Sequence, residues 1–220
     1  MLRIRKASPP PCITELKKTP GADWSTVTGA QKAEMRQHLL REQAGLCAYC
    51  MRRIHQGSTT VEHWAPRSEA DADPFEWEHL LGVCDGGGPG AKPSHQHCDR
   101  SRGAKSLALH PAHPTRDVEQ VVRYKADGRV WADDPAHERE LESVLQLNVP
   151  NLRNGRRQVV DAVVAAAQHA TATQLRTMID SYTTPKNGLR AEYAGAALYF
   201  LTRRLTQTQA IGKQKRTKRP

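Results

Sequence analysis

Four cysteines set the strongest constraint on this sequence: Cys47 and Cys50 form a Cys-Ala-Tyr-Cys motif, and Cys84 and Cys98 bracket a run of Gly86, Gly87, Gly88, Pro89 and Gly90. A two-residue gap lets backbone amides wrap a tetrahedral metal, and four thiolates close a structural Zn²⁺ site. The glycine run is a loop that neither helix nor strand tolerates, so it reads as an insertion between two metal ligands. Such a segment buries too little apolar surface to hold itself together, and zinc binding then becomes folding free energy. His95, in His95-Gln96-His97-Cys98, competes with Cys84 for the shell through its own spacing. Taken alone, Cys47 and Cys50 also fit a thiol-redox pair, but they follow a helical run and lead into Arg52, Arg53 and Ile54 rather than capping a strand.

The fifth cysteine, Cys12, stands apart and is left out of the site. An odd count with uneven spacing argues against a secreted disulfide framework and for a cytoplasmic metal site. Arg3, Arg5 and Lys6 run straight into Ser8 and three prolines, so no secretory signal is expected. No segment approaches the ~20 apolar residues of a membrane span. A net charge of +10 favours polyanionic partners, nucleic acid first among them. Part of that charge crowds into Lys213, Lys215, Arg216, Lys218 and Arg219, a basic tail over 207–220.

Along the chain, residues 1–28 are rich in Pro, Gly and Thr and read as an extended lead-in, strapped over the body by Ile4, Ile13, Leu16 and Trp24. Thr28 with Gln31 predicts a capping box opening a helix from Gly29 to Ala44, stopped by Gly45. A compact, motif-dense segment completes 29–112 before the Pro111 and Pro114 hinge. Val118, Val121, Val122 and Tyr124 read as a strand, Asp127-Gly128 as a hairpin turn, and Val130-Trp131 as its return. Helical periodicity then dominates through 206, carried by Leu141, Val144 and Leu145, by Val159, Val160, Val163 and Val164, and by Tyr193, Ala197, Leu198 and Leu201. The expected class is α+β, with a mainly helical region over 113–206 whose apolar faces suit partner docking.

Between the cysteine pairs lies Thr60-Val61-Glu62-His63-Trp64-Ala65-Pro66-Arg67, a β-branched run ending in an acid and a histidine before proline closes the strand. Phosphodiester hydrolysis needs an oxygen ligand for a divalent cation and a base for water, and this pair offers both. A Glu-His dipeptide alone says little; between two halves of a zinc site it becomes specific.

The blocks CAYC, VEHWAP, WEHLLGVC and HCDRSRG occur in the order and rough spacing of zinc-ribbon HNH endonucleases, and the sequence resembles that family. With Leu2-Arg3-Ile4-Arg5-Lys6 at the start, it is most similar to the HNH subunits (PtuB) of Septu antiphage systems, which also accompany some retrons. The motifs cover about 45–110. The resemblance implies a ββα-metal nuclease core within 29–112, with Glu62 as a ligand of a catalytic Mg²⁺ or Mn²⁺ and His63 as general base. Asp99 stands where Asn or His is usual and would be the second ligand, and His79 stands where Asn usually braces the hairpin by hydrogen bonds. Arg102 and Lys105, one turn apart on the implied helix, would face phosphates. It also implies a PtuA-like ATPase partner. DNA and RNA remain open as substrates, and a zinc-dependent nucleic-acid-binding adaptor without catalysis remains the alternative function.

Overall fold

The structure, a computed structural model, describes residues 1–68, 73–88 and 90–217. It is α+β, with eight helices and two small antiparallel sheets among the described residues. The lead-in is not extended throughout. Pro11 opens helix α1, Pro11–Lys18, because its ring presets a helical φ and its missing N–H is lost nowhere in the first turn. Cys12, Ile13 and Leu16 bury one face of α1 against Met35, Leu39, Phe75, Trp77 and Leu80, as the predicted strapping by Ile13 and Leu16 requires. Helix α2, Gly29–Glu42, carries the predicted capping box: the Thr28 hydroxyl accepts from the Gln31 amide at 3.2 Å and the Gln31 side chain accepts from the Thr28 amide at 2.9 Å. It stops two residues short of Ala44, where Gly45 adopts φ +70°.

Strands β1, Thr59–His63, and β2, Leu80–Cys84, pair antiparallel with Glu62 opposite Leu81 and His63 opposite Leu80. Every residue of β2 is buried. Helix α3, Cys98–Arg102, follows the glycine loop and ends where Gly103 takes φ +57°. Gly86 is needed where it stands, since a Cβ there would lie 2.1 Å from the His97 carbonyl oxygen. Pro89 of that loop lies outside the described residues.

The predicted strand over Val118–Tyr124 is corrected. Asp117 caps a short helix α4, Val118–Val121, accepting from the Glu119 amide, and only β3, Arg123–Tyr124, is extended. It pairs with β4, Val130–Trp131, around the expected Asp127-Gly128 turn. Helix α5, Pro135–Arg139, runs into a wider turn over Glu140–Val144, and α6, Pro150–Ala167, α7, Ala172–Thr183, and α8, Ala194–Thr217, complete the chain. Of the basic tail, α8 carries the backbone through Thr217; residues 218–220, and the side chains from 212 onward, lie outside the described residues.

Two findings bear on domain organisation. Of the residues expected to present an unused apolar surface, Val160, Val163, Ala197 and Leu201 are buried within the chain, largely between α6, α7 and α8, while Val164 is exposed. One apolar core also crosses the expected boundary at 112–113. It runs from Leu2 and Ile4 through Leu46, Leu81 and Val83 to Val118, Leu141, Leu152 and Ala194. The Cys98 amide donates to the Leu145 carbonyl at 2.9 Å and the Ser101 hydroxyl to the Val144 carbonyl at 2.9 Å, so α3 is anchored directly to the C-terminal half. Among the described residues no helix is long and apolar enough to cross a membrane.

Candidate metal centre and adjoining cleft

Cys47, Cys50, Cys84 and Cys98 meet in one buried cluster, their sulfurs all within 4.8 Å of one another. The Cys47–Cys98 and Cys50–Cys84 separations are 3.9 and 3.8 Å. A regular tetrahedron with Zn–S bonds of ~2.3 Å has edges of about 3.8 Å, so the four thiols fit Zn²⁺ and are too far apart for disulfides. Burial pushes the Cys50 and Cys98 thiols well above their ordinary range, so a cation is what would hold them as thiolates. The knuckle supplies the geometry: the Cys47 amide donates to the Arg52 carbonyl, Met51 turns at φ +63°, and the Cys84 amide points at the Cys47 sulfur at 3.4 Å. His95 is exposed and stands outside the cluster. The histidine at the sulfurs is His97, fully buried, whose Nδ1 lies 3.3 Å from Cys98 and 3.8 Å from Cys84.

Beside this centre a cleft of about 460 Å³ is lined by Trp24, Glu62, His63, Arg67, Asp99 and Arg102 among others. Glu62 and His63 reach it from the end of β1, and Asp99 from the first turn of α3, immediately after the last cysteine. Burial pushes the Glu62 carboxyl up to about 7; the Arg102 cation opposes the shift and the facing Asp99 carboxylate adds to it. Two carboxylates converging on one cleft, with water access, form a donor set that suits a hard divalent cation such as Mg²⁺ or Mn²⁺.

The His63 ring is oriented by a partner the sequence does not reveal. Its Nε2 lies 3.0 Å from the Pro74 carbonyl oxygen. A carbonyl only accepts, so Nε2 carries the proton and Nδ1 keeps its lone pair. Burial lowers the ring to about 4, against the pull of that hydrogen bond, so it is neutral at pH 7. The turn carrying Pro74 is fixed by the Asp73 carboxylate accepting from the Phe75 amide at 2.8 Å, and by Lys17 of α1, 3.1 Å from both Asp73 and Glu76.

Three expectations change. Among the described residues His79 braces the hairpin by no side-chain hydrogen bond: its ring packs against Trp64 and His110, with centroids 5.2 and 5.6 Å away. Arg102 is 1% exposed and is not a free phosphate contact. Its guanidinium pairs with Glu62 and donates to the carbonyls of His63, Trp64 and Lys105 and to the Tyr49 hydroxyl. Lys105 is exposed, but α3 ends at Arg102, so the two do not share a helix face.

No family model matches the chain, and no curated protein sequence matches it. The site therefore stands on its own geometry.

Tyr49, between the two knuckle cysteines, reaches from the cysteine cluster to the cleft residues. Its hydroxyl lies 3.5 Å from Glu62 Oε1 and 3.3 Å from the Arg102 guanidinium. Sequence reasoning missed Tyr49, Pro74, His97 and Trp24 as parts of these sites. Only Tyr49 carries a local signal, its place inside the CxxC.

Proposed function

We propose that the chain is a zinc-stapled HNH-type nuclease that hydrolyses nucleic-acid phosphodiesters. The observation that carries this reading is the convergence of Glu62, His63 and Asp99 on one cleft, with Nδ1 of His63 as the unprotonated nitrogen. The antiparallel β1–β2 pair followed by α3, with acid and histidine on the strand and a second acid on the helix, supports a ββα-metal core. In this reading His63 accepts a proton from water at Nδ1 while the Pro74 carbonyl keeps the ring in its tautomer. Arg102 and Tyr49 both engage Glu62 Oε1. A divalent cation held by Glu62 and Asp99 would supply charge neutralisation at the scissile phosphate. The zinc cluster would fix where β2 ends and α3 begins and takes no part in the chemistry.

The similarity to PtuB extends the proposal to an effector nuclease of a cytoplasmic antiphage system, working with a PtuA-like ATPase that docks on the C-terminal helices. The buried Glu62–Arg102 pair favours a second reading, a nucleic-acid-binding adaptor in which the acid is a structural counter-ion. Incubation of the zinc-loaded chain with labelled single- and double-stranded DNA and RNA, in Mg²⁺ or Mn²⁺ and with or without an ATPase partner, separates the two. Cleavage is expected, reduced on the order of 10²–10⁴-fold in rate by His63→Ala. An intact substrate under every condition sinks the nuclease reading and leaves the adaptor.

A further inference from the structure

Trp24 sits in the loop between α1 and α2, far in sequence from the HNH-like motifs, yet its indole forms one wall of the cleft. Its ring meets that of His63 edge-on, centroid to centroid 4.3 Å. The indole is only partly buried and its ring is approached by two cations, the Lys32 ammonium at 5.7 Å and the Arg67 guanidinium at 6.0 Å. Among the described residues neither cation has a carboxylate within ion-pair distance. An aromatic face flanked by two cations, in contact with the residue that would activate water, has the make-up of a base-stacking platform with its phosphate contacts beside it.

We propose that Trp24 is the platform on which an unpaired nucleobase stacks, so that this site takes single-stranded or locally opened nucleic acid in preference to intact duplex. The reason for the preference is steric. Inside a duplex both faces of each base are covered by its neighbours, and an indole cannot stack on one without unstacking the pair. A base lying on Trp24 places its own phosphodiester within one nucleotide of His63. Lys32 and Arg67 leave the ring for the phosphates on either side. Stacking on an aromatic face tolerates any base, so the platform discriminates strandedness and not sequence.

The proposal rests on the nuclease reading for its location, and its test is therefore a binding measurement that needs no turnover. The full zinc-loaded chain, without added magnesium, is titrated with a fluorescent single-stranded oligonucleotide and with the matching duplex. Tighter binding of the single strand is expected. Trp24→Leu keeps apolar bulk against Phe75 but removes the π face, and should weaken single-strand binding about 5- to 150-fold while duplex binding moves less than about twofold. Trp24→Phe should retain most of the affinity. Equal losses on both substrates, or none, overturn the platform, as does wild-type preference for duplex. Should Trp24→Leu fold poorly, a 5-iodouracil oligonucleotide cross-linked to the wild-type chain is expected to map to Trp24; adducts elsewhere only would reject the idea. Cleavage without a Trp24 effect refutes the platform alone, and a Trp24 effect without cleavage refutes the nuclease reading alone.

Discussion

The Arg102 guanidinium lies against the Glu62 carboxylate beneath the cleft, so a residue of α3 neutralises an acid 40 positions earlier on β1. Their side chains are 1% and 9% exposed. The asymmetry of their environments makes the two ends of the pair unequal. Arg102 retains three backbone carbonyls and the Tyr49 hydroxyl if Glu62 is lost, whereas Glu62 without Arg102 keeps only Tyr49 and faces Asp99.

Arg102→Ala should therefore lower unfolding free energy by about 3–5 kcal/mol, the range for removing one partner of a buried pair. Glu62→Gln should cost less than half as much, since the cation stays solvated by carbonyls. Urea unfolding midpoints of the two zinc-loaded variants check this; a cost below about 1 kcal/mol for Arg102→Ala would show that the pair is not what holds α3 to β1.

Zinc should be bound at one per chain, and Cys47→Ser, Cys50→Ser, Cys84→Ser and Cys98→Ser should each abolish tight binding, while Cys12→Ser leaves metal content unchanged. Cys12 is buried with α1, and its thiol faces the Gln31 carbonyl rather than the cluster. The four cysteines lie inside the main core, and α3 is bonded to Val144 and Leu145. Chelation should accordingly lower the stability of both halves in one transition, read by hydrogen exchange across α6 as well as β2. Protection persisting in α6 after chelation would mean that the C-terminal half holds itself together without the metal.

How far the sequence reaches can be seen in these same residues. The four-cysteine cluster was legible because each member sits in a local pattern, a CxxC and a glycine loop, whose physical reason is contained within a few residues. The capping box of α2 and the β1 acid-histidine pair were legible for the same reason. Arg102 was misread because its burial depends on carbonyls of β1 that no spacing on α3 announces. Pro74 was invisible as a partner of His63, since any residue supplies a carbonyl and only the turn fixed by Asp73 and Lys17 aims this one. The start of α1 was hidden by three consecutive prolines, of which only the last is helical. The division at 112–113 followed a proline hinge, but the Arg3 amide donates to the Glu119 carboxylate across that hinge and the core continues beneath it.

His110 gives a prediction on pH. Its ring is 6% exposed, stacks on Trp64 at 4.2 Å and 18°, and places Nε2 3.1 Å from the Glu78 carbonyl. Burial lowers it from an ordinary value near 6.5 to about 4, with the neighbouring His79 and His113 acting in the same direction. Between those two values the unfolded chain binds a proton that the folded chain does not, so stability rises with pH across that window and is flat above it. On acidification from pH 7 to 4 the folded state should lose on the order of 1–2 kcal/mol through this ring, once residual solvent access is allowed for. Acidification would also weaken zinc binding by the four cysteines, so the comparison must be between variants at each pH. His110→Phe keeps the stack on Trp64 and forgoes the hydrogen bond, so it should start less stable at pH 7 and converge on the wild type as pH falls. Parallel melting curves for the two proteins from pH 7 to 4 would show that His110 is not the group whose neutrality the fold requires.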